Sequence, residues 1–279
     1  MTTEPDIRPA REPADYQACV ELQRAVWGLA DLEVTSAIQL VATVHAGGLL
    51  LVAERAPGRI VGFSYAFASL RGDFPHLHSD MLAVHPAEQG RGLGARLKWA
   101  QRAEAQRRGI RVVDWTFDPM QARNAALNLG RLGAIATELL PDFYGVTTSP
   151  LHHGLPTDRL LVRWDLDSPR VRGLAGESAP APPGPVVERE RINDVSWTRD
   201  RPRSSESRLD LDSPALLLEI PAAWDELCRA APADAAQWQR RVARALAAYL
   251  AGGYRAVDLL RTVEDGRPRA AYVLERRMT

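Results

Sequence analysis

Sulfur is scarce in this chain of 279 residues, with two cysteines, Cys19 and Cys228, far apart in sequence and each inside a helical apolar pattern. That usage argues for buried thiols in a reducing compartment rather than a disulfide framework. Net charge is also lacking: 35 basic and 35 acidic residues cancel. A whole-chain electrostatic attraction to nucleic acid or to an anionic membrane is therefore not expected. No apolar run approaches the length needed to span a bilayer. The first residues, MTTEPDIRPAREP, lack the apolar core of a secretion signal. These absences predict a cytoplasmic protein with no nucleic-acid or membrane partner. No nucleophile–histidine–acid signature is evident, and neither cysteine has a reactive context.

The informative stretch runs from Leu77 to Gly109, LHSDMLAVHPAEQGRGLGARLKWAQRAEAQRRG. Met81-Leu82-Ala83-Val84, bounded by Pro86, reads as a buried strand. Gln89-Gly90-Arg91-Gly92-Leu93-Gly94 follows, with glycine at alternate positions. Leu93, Leu97, Ala100 and Ala103 then recur at helical spacing up to Gly109. Strand, glycine turn and helix start aim backbone N–H groups at one point beside the positive end of a helix dipole, where phosphate binds. A Walker A loop would need Gly-Lys-Ser/Thr, whereas Gly94 is followed by Ala95-Arg96. A dinucleotide fingerprint would need glycine where Leu97 stands.

The remaining pattern, Gln/Arg-x-x-Gly-x-Gly/Ala, is met by Gln89, Gly92 and Gly94. Here the chain resembles the GNAT superfamily of acyl-CoA-dependent N-acyltransferases. The resemblance implies that Gln89, Gly90, Arg91, Gly92, Leu93, Gly94 and Ala95 hold the pyrophosphate of coenzyme A. It also implies that backbone groups of Leu82, Ala83 and Val84 pair with the pantetheine amides like an added strand. Arg91, Arg96 and Lys98 surround the loop as candidate phosphate contacts.

The rest of the pattern extends the resemblance over about residues 5–168. A short strand at Ile7-Arg8 precedes a helix from Ala14 stopped by Gly28, and a second helix capped by Thr35 or Ser36 runs to Val44. Leu49–Glu54 and Ile60–Ala68 form a hairpin around Ala-Pro-Gly-Arg. Val112–Phe117, a helix over Arg123–Leu132, and strands at Ile135–Leu139 and Arg159–Leu166 complete the order. The expected fold is α/β, a GNAT-type mixed twisted sheet flanked by helices, plus a smaller C-terminal α/β unit. Domain boundaries are expected at 1–168, 169–212 and 213–279. The middle segment opens with PRVRGLAGESAPAPPGP and reads as a Pro/Gly-rich linker followed by loop. The last reads as strand (Ala215–Ile220), helix (about Ala233–Leu250) and a hairpin around Asp265-Gly266. So small a unit is expected to pack on the first domain or on a second copy, a homodimer.

Acyl transfer from a thioester to an amine needs a base for the amine, a placed donor and stabilisation of the oxyanion; a proton for the leaving thiolate is optional. His76, His78 and Asp80 share one parity on the central strand and hence nominally one face. His78 falls where some family members carry a glutamate base, and Asp80 either orients it or acts itself. A metal is not expected: alternate positions on one strand are a partial ligand set. Many family members carry a tyrosine acid four residues before a Gly-Phe pair. Here that position is Leu129, before Gly133-Ala134, so the usual acid is missing. Tyr144 is the nearest substitute, Asp118 ends the fifth strand as a further polar candidate, and Asn124 is a candidate contact to coenzyme A. His152-His153 reads as solvated loop, and Trp115, Trp224 and Trp238 as core. The resemblance implies an N-acyltransferase that uses acetyl-CoA by default, or another acyl-CoA such as succinyl-CoA, to acylate a small-molecule amine in a ternary complex. The alternatives are a non-catalytic acyl-CoA-binding protein and an acyl-CoA hydrolase or decarboxylase on the same fold.

Overall fold

A computed structural model describes residues 4–71, 74–147, 149–177, 189–198 and 201–276. The chain divides into two compact units. The first comprises Met1–Trp115 with Thr147–Leu151 and Asp165–Ser168; the second comprises Thr116–Val146, His152–Trp164 and Pro169–Thr279.

The first unit contains β1 (Asp6–Pro9), α1 (Pro13–Trp27), α2 (Ala37–His45), β2 (Leu49–Ala56), β3 (Arg59–Ser69), β4 (His76–Val84), α3 (Leu93–Arg107) and the first four residues of β5 (Val112–Phe117). Its strands lie in the order β1-β2-β3-β4-β5, antiparallel except for the β4–β5 pair. Local chemistry sets the helix ends. Glu12 and Asp15 make a reciprocal capping box ahead of α1, Pro13 occupies its first turn, and Gly28 ends it in the left-handed region. Ser36 accepts from the Gln39 N–H to start α2.

The sheet is covered on both faces. Helix α1 packs on β3 and β4, while α3 packs on β2, β3 and β4. On the α1 side, Cys19, Leu40, Val52, Phe63, Tyr65, Met81 and Ala83 form the buried core. Burial pushes the Cys19 thiol up to about 12, as it does the Cys228 thiol, so both remain protonated and inert at neutral pH.

The second unit holds the end of β5, α4 (Ala122–Ala125) continuing as a wider turn over Ala126–Arg131, β6 (Ile135–Leu140), β7 (Arg159–Asp165, nearly all in this unit), α5 (Pro169–Leu174), β8 (Glu190–Arg191), β9 (Val195–Thr198), β10 (Arg201–Ser204), β11 (Ala215–Ile220), α6 (Trp224–Ala230), α7 (Pro232–Ala251), β12 (Tyr254–Glu264) and β13 (Arg267–Arg276). Its sheet runs β7-β6-β12-β13-β11-β8, with β8 parallel to β11 and the other neighbours antiparallel. Helix α7 packs on β6, β11 and β12 through its buried stripe of Trp238, Val242, Ala245, Leu246 and Tyr249. Among the described residues no helix is long and apolar enough to cross a membrane.

The stretch expected as linker and loop carries structure. Val171 of α5 is fully buried, and Arg170 donates from Nη2 to the carbonyls of Leu129 and Val257 at 3.0 and 2.8 Å. Average composition concealed one amphipathic turn and a guanidinium with carbonyl partners distant in sequence. Downstream, β8 pairs with β11, and β9 with β10 form a hairpin, where loop was expected. The most proline-rich part, 178–188, lies outside the described residues.

Candidate active site

The loop after β4 has the geometry of an anion cradle. A short turn at Pro86–Glu88 leads to Gly90 and Gly92, with φ of +80° and +82°. A side chain at either would be strained. No heavy atom lies within 4 Å of where a Cβ would stand at either glycine, so the space over the turn is open. Gly92 caps α3 without a side-chain hydrogen bond, and the first turn has no acidic residue. The first intrahelical bond runs from the Arg96 N–H to the Gly92 carbonyl at 3.1 Å. The N–H groups of Leu93, Gly94 and Ala95 therefore precede the helical ladder at the positive end of a 15-residue helix. Gln89 fastens the entry to the turn, donating from Nε2 to the Val84 carbonyl at 3.0 Å.

The three cations expected around the loop do not act alike. Arg91 is exposed and lies 3.4 Å from Glu88, which also binds Arg55. Arg96 instead ties down the N-terminal segment, through the Pro5 carbonyl at 2.9 Å and Glu4 at 3.3 Å. Lys98, the one lysine in the chain, is buried behind α3. Its Nζ lies 3.0 Å from Ser79 Oγ, 2.7 Å from Gln101 Oε1 and 3.6 Å from the centre of the Trp115 ring. Burial pushes its pKa well down. A lysine can lose its charge when buried and an arginine cannot, which suits lysine to this place in an arginine-rich chain.

Strands β4 and β5 pair in register at Leu77 with Val113 and His78 with Asp114, then part. Ser79 and Trp115, the residues immediately beyond, both touch Lys98 of α3. Beyond the parting, Leu82, Ala83 and Val84 pair on their other side with Ser64, Phe63 and Gly62 of β3. Their edge toward β5 is thus the side on which an extended ligand can add.

A bulge changes the expected face assignments on β4. Tyr65 pairs with Met81 but Ala66 pairs with Ser79, so Asp80 is the extra residue. A bulge reverses side-chain alternation. Asp80 is exposed, and simple alternation no longer assigns it to the face of His76 and His78.

The group that orients His78 is accordingly Asp114, on β5. His78 Nδ1 lies 2.7 Å from Asp114 Oδ1, and His76 Nε2 lies 3.1 Å from Asp114 Oδ2. His76 Nδ1 faces the Phe74 carbonyl at 3.3 Å. Arg71 comes within 3.8 Å of the same carboxylate, and the Phe67 ring sits 5.2 Å from the His78 ring at 34°. Asp114 is buried, which pushes its carboxyl up. The hydrogen bonds and charge of His78 and His76 outweigh that and hold it below its ordinary value. Sequence reading missed Asp114, although a lone carboxylate inside VVDWTF was a signal: buried on an apolar strand, it must find donors.

The other expected site residues belong to the second unit. Asn124 is exposed on α4, and Leu129, where the family acid would stand, is fully buried. Tyr144 is half exposed; its ring packs edge-on against Phe143 at 4.8 Å and under the Arg159 guanidinium at 5.4 Å. His153, expected to be solvated, binds Asp225 at 3.2 Å. Asp118 accepts from the Met120 N–H at 2.8 Å.

Burial pushes the Asp118 carboxyl up to about 6, with Asp225 and Asp158 adding to the rise, while the Met120 N–H and Arg159 oppose it. An aspartate with a raised folded pKa binds more protons folded than unfolded, so its contribution to stability falls as pH rises from about 4 to about 6. Asp118→Asn keeps an oxygen for Met120 and removes the charge. It is expected to stabilise the protein by about 1–3 kcal/mol near neutral pH and by nothing below about pH 4. Thermal denaturation at the two pH values checks this; an unchanged or lowered midpoint at neutral pH would refute it.

Several solved structures resemble the chain. One is yncA from Salmonella typhimurium with its cofactor acetyl-CoA, 25% identical, covering 60% of this chain and 96% of that one at a TM-score of 0.48. Another is the ribosomal-protein-S18-alanine N-acetyltransferase from Escherichia coli, 17% identical, covering 58% and 94% at 0.46. A third is aminoglycoside 6'-acetyltransferase type Ii, 16% identical, covering 58% and 98% at 0.47. Among curated protein sequences none matches. The family model for an acetyltransferase (GNAT) domain matches residues 46–129, which hold the β4 bulge, the glycine turn, α3 and the parting of β4 from β5. Over that stretch the chain is similar to acetyltransferase (GNAT) domains.

Proposed function

We propose that the protein transfers an acyl group, acetyl in the first instance, from acyl-CoA to the amine of a small molecule, by direct attack in a ternary complex. The observation that carries this reading is the uncapped start of α3 beneath an open double-glycine turn, beside the unpaired edge of β4. Backbone N–H groups of Leu93, Gly94 and Ala95 bind the pyrophosphate, and Leu82–Val84 pair with the pantetheine amides. His78 accepts the proton as the amine nitrogen forms its bond to the thioester carbonyl. The carbon–sulfur bond breaks and the electron pair leaves on sulfur. A thiolate is a far better leaving group than an amide nitrogen, so the absence of a tyrosine at Leu129 does not block the step.

Calorimetric titration with coenzyme A, acetyl-CoA and succinyl-CoA, followed by thiol release across a panel of amines, tests the reading. Micromolar binding, about −8 kcal/mol, and amine-dependent thiol release are expected. Thiol release of equal rate without amine would instead establish a hydrolase, and absence of acyl-CoA binding by the folded protein would sink the proposal.

A further inference from the structure

We infer that Asp114 and His76 are positioning residues for His78, the three forming a His–Asp–His array that fixes which nitrogen of His78 serves as base. The inference rests on the acyl-transfer reading above and adds two residues to it.

A carboxylate can only accept, so the 2.7 Å contact requires the proton of His78 to sit on Nδ1. Nε2 is then left with its lone pair, the state a general base must hold before the amine arrives. The Phe67 ring, at 5.2 Å and 34° to the imidazole, restricts rotation of the ring out of this contact. His78 is thereby held at two faces, one polar and one aromatic.

Asp114 is itself held. Its Oδ2 receives His76 Nε2, while the other ring nitrogen of His76 meets the Phe74 carbonyl. With its N–H on Nε2, His76 fixes the carboxylate of β5 from β4, and Asp114 spans the last paired position before the strands part. The array sits where a small rotation of one carboxylate would misdirect the base. A packing role alone would call for neither a carboxylate nor two imidazoles beside the buried Leu77, Val113 and Trp115.

Three variants, Asp114→Asn, His76→Gln and His76→Ala, test the assignment. The readouts are kcat, the Kd for acetyl-CoA, and the tautomer of His78 from nitrogen-15 spectra of histidine-labelled protein without substrate. In the wild type the His78 proton is expected on Nδ1. In Asp114→Asn the amide can donate to Nδ1 and drive the proton to Nε2; kcat is expected to fall about 100-fold or more, with the Kd for acetyl-CoA within about twofold. His76→Gln keeps an N–H for Asp114 and is expected to retain kcat within about threefold, whereas His76→Ala loses about tenfold.

Wild-type kcat in Asp114→Asn, or a His78 proton on Nε2 in the wild type, overturns the positioning role while leaving acyl transfer intact. Equal loss in His76→Gln and His76→Ala also overturns the role of His76, because a donor at that atom would then not matter. A wild type with the Nδ1 tautomer and no transfer to any amine overturns the reaction, and the role with it.

Discussion

Gly92→Glu is expected to lose acyl-CoA binding by 100-fold or more while the protein stays folded. Two effects act on the fold and partly offset. The residue has φ of +82° and no neighbour within 4 Å of the Cβ position, so the cost is backbone strain, about 1–2 kcal/mol, rather than a clash. Against it, a carboxylate at the cap of α3 faces a helix end with no side-chain cap and no acid in its first turn. Such a charge stabilises a helix start by about 0.3–1 kcal/mol. The melting temperature without ligand should therefore move little.

Ligand binding has no such offset. The new carboxylate occupies the point where the N–H groups of Leu93, Gly94 and Ala95 converge, and it repels the pyrophosphate. Two like charges about 4 Å apart at an effective dielectric of about 20 repel by about 4 kcal/mol, close to a thousandfold in affinity. Gly92→Ala separates the contributions, because it carries the strain without the charge and should weaken binding by about tenfold. Calorimetry on both variants, with melting curves as control, decides. If Gly92→Glu binds acetyl-CoA like the wild type, the turn is not the donor site.

That loop was legible because its chemistry is local. Gly90, Gly92 and the α3 start are contiguous in sequence, and strand, turn and helix each announce themselves by spacing. Helix ends at Gly28 and Ser36 were legible for the same reason. What escaped is whatever depends on residues distant in sequence. Asp114 reaches His78 across 36 positions, through a strand pairing that no periodicity reveals. The bulge at Asp80 is one extra residue against β3, invisible in β4 alone, and it breaks the alternation from which the face of Asp80 was read. Lys98 read as a phosphate contact because it stands four residues after Gly94, yet the packing of α3 turns it inward to Ser79 and Trp115. In α5, a mostly proline, glycine and alanine segment hid Val171, which is fully buried. Local turn chemistry carries its own signal; pairing partners and burial do not.

His78→Gln is expected to lower kcat by about 100- to 10,000-fold with little change in acyl-CoA affinity, the range by which a positioned general base contributes. Glutamine suits the test because its amide can still donate to Asp114 Oδ1, so the buried carboxylate keeps a partner and the fold is spared the cost of an orphaned charge. What glutamine lacks is a basic nitrogen. An interaction made only as the amine loses its proton should appear in kcat rather than in the donor Kd. The donor loop lies beyond the β4 bulge from His78, with different backbone partners on β3, so the two losses should be separable: Gly92→Glu in binding, His78→Gln in turnover. Added imidazole, a diffusible base of the missing kind, should restore part of the His78→Gln rate and none of the Gly92→Glu rate. Pre-steady-state thiol release at saturating acetyl-CoA reads the chemical step directly. Wild-type turnover in His78→Gln would remove His78 from the reaction and leave the amine to arrive already neutral, with the protein supplying the donor site and the parted strands alone.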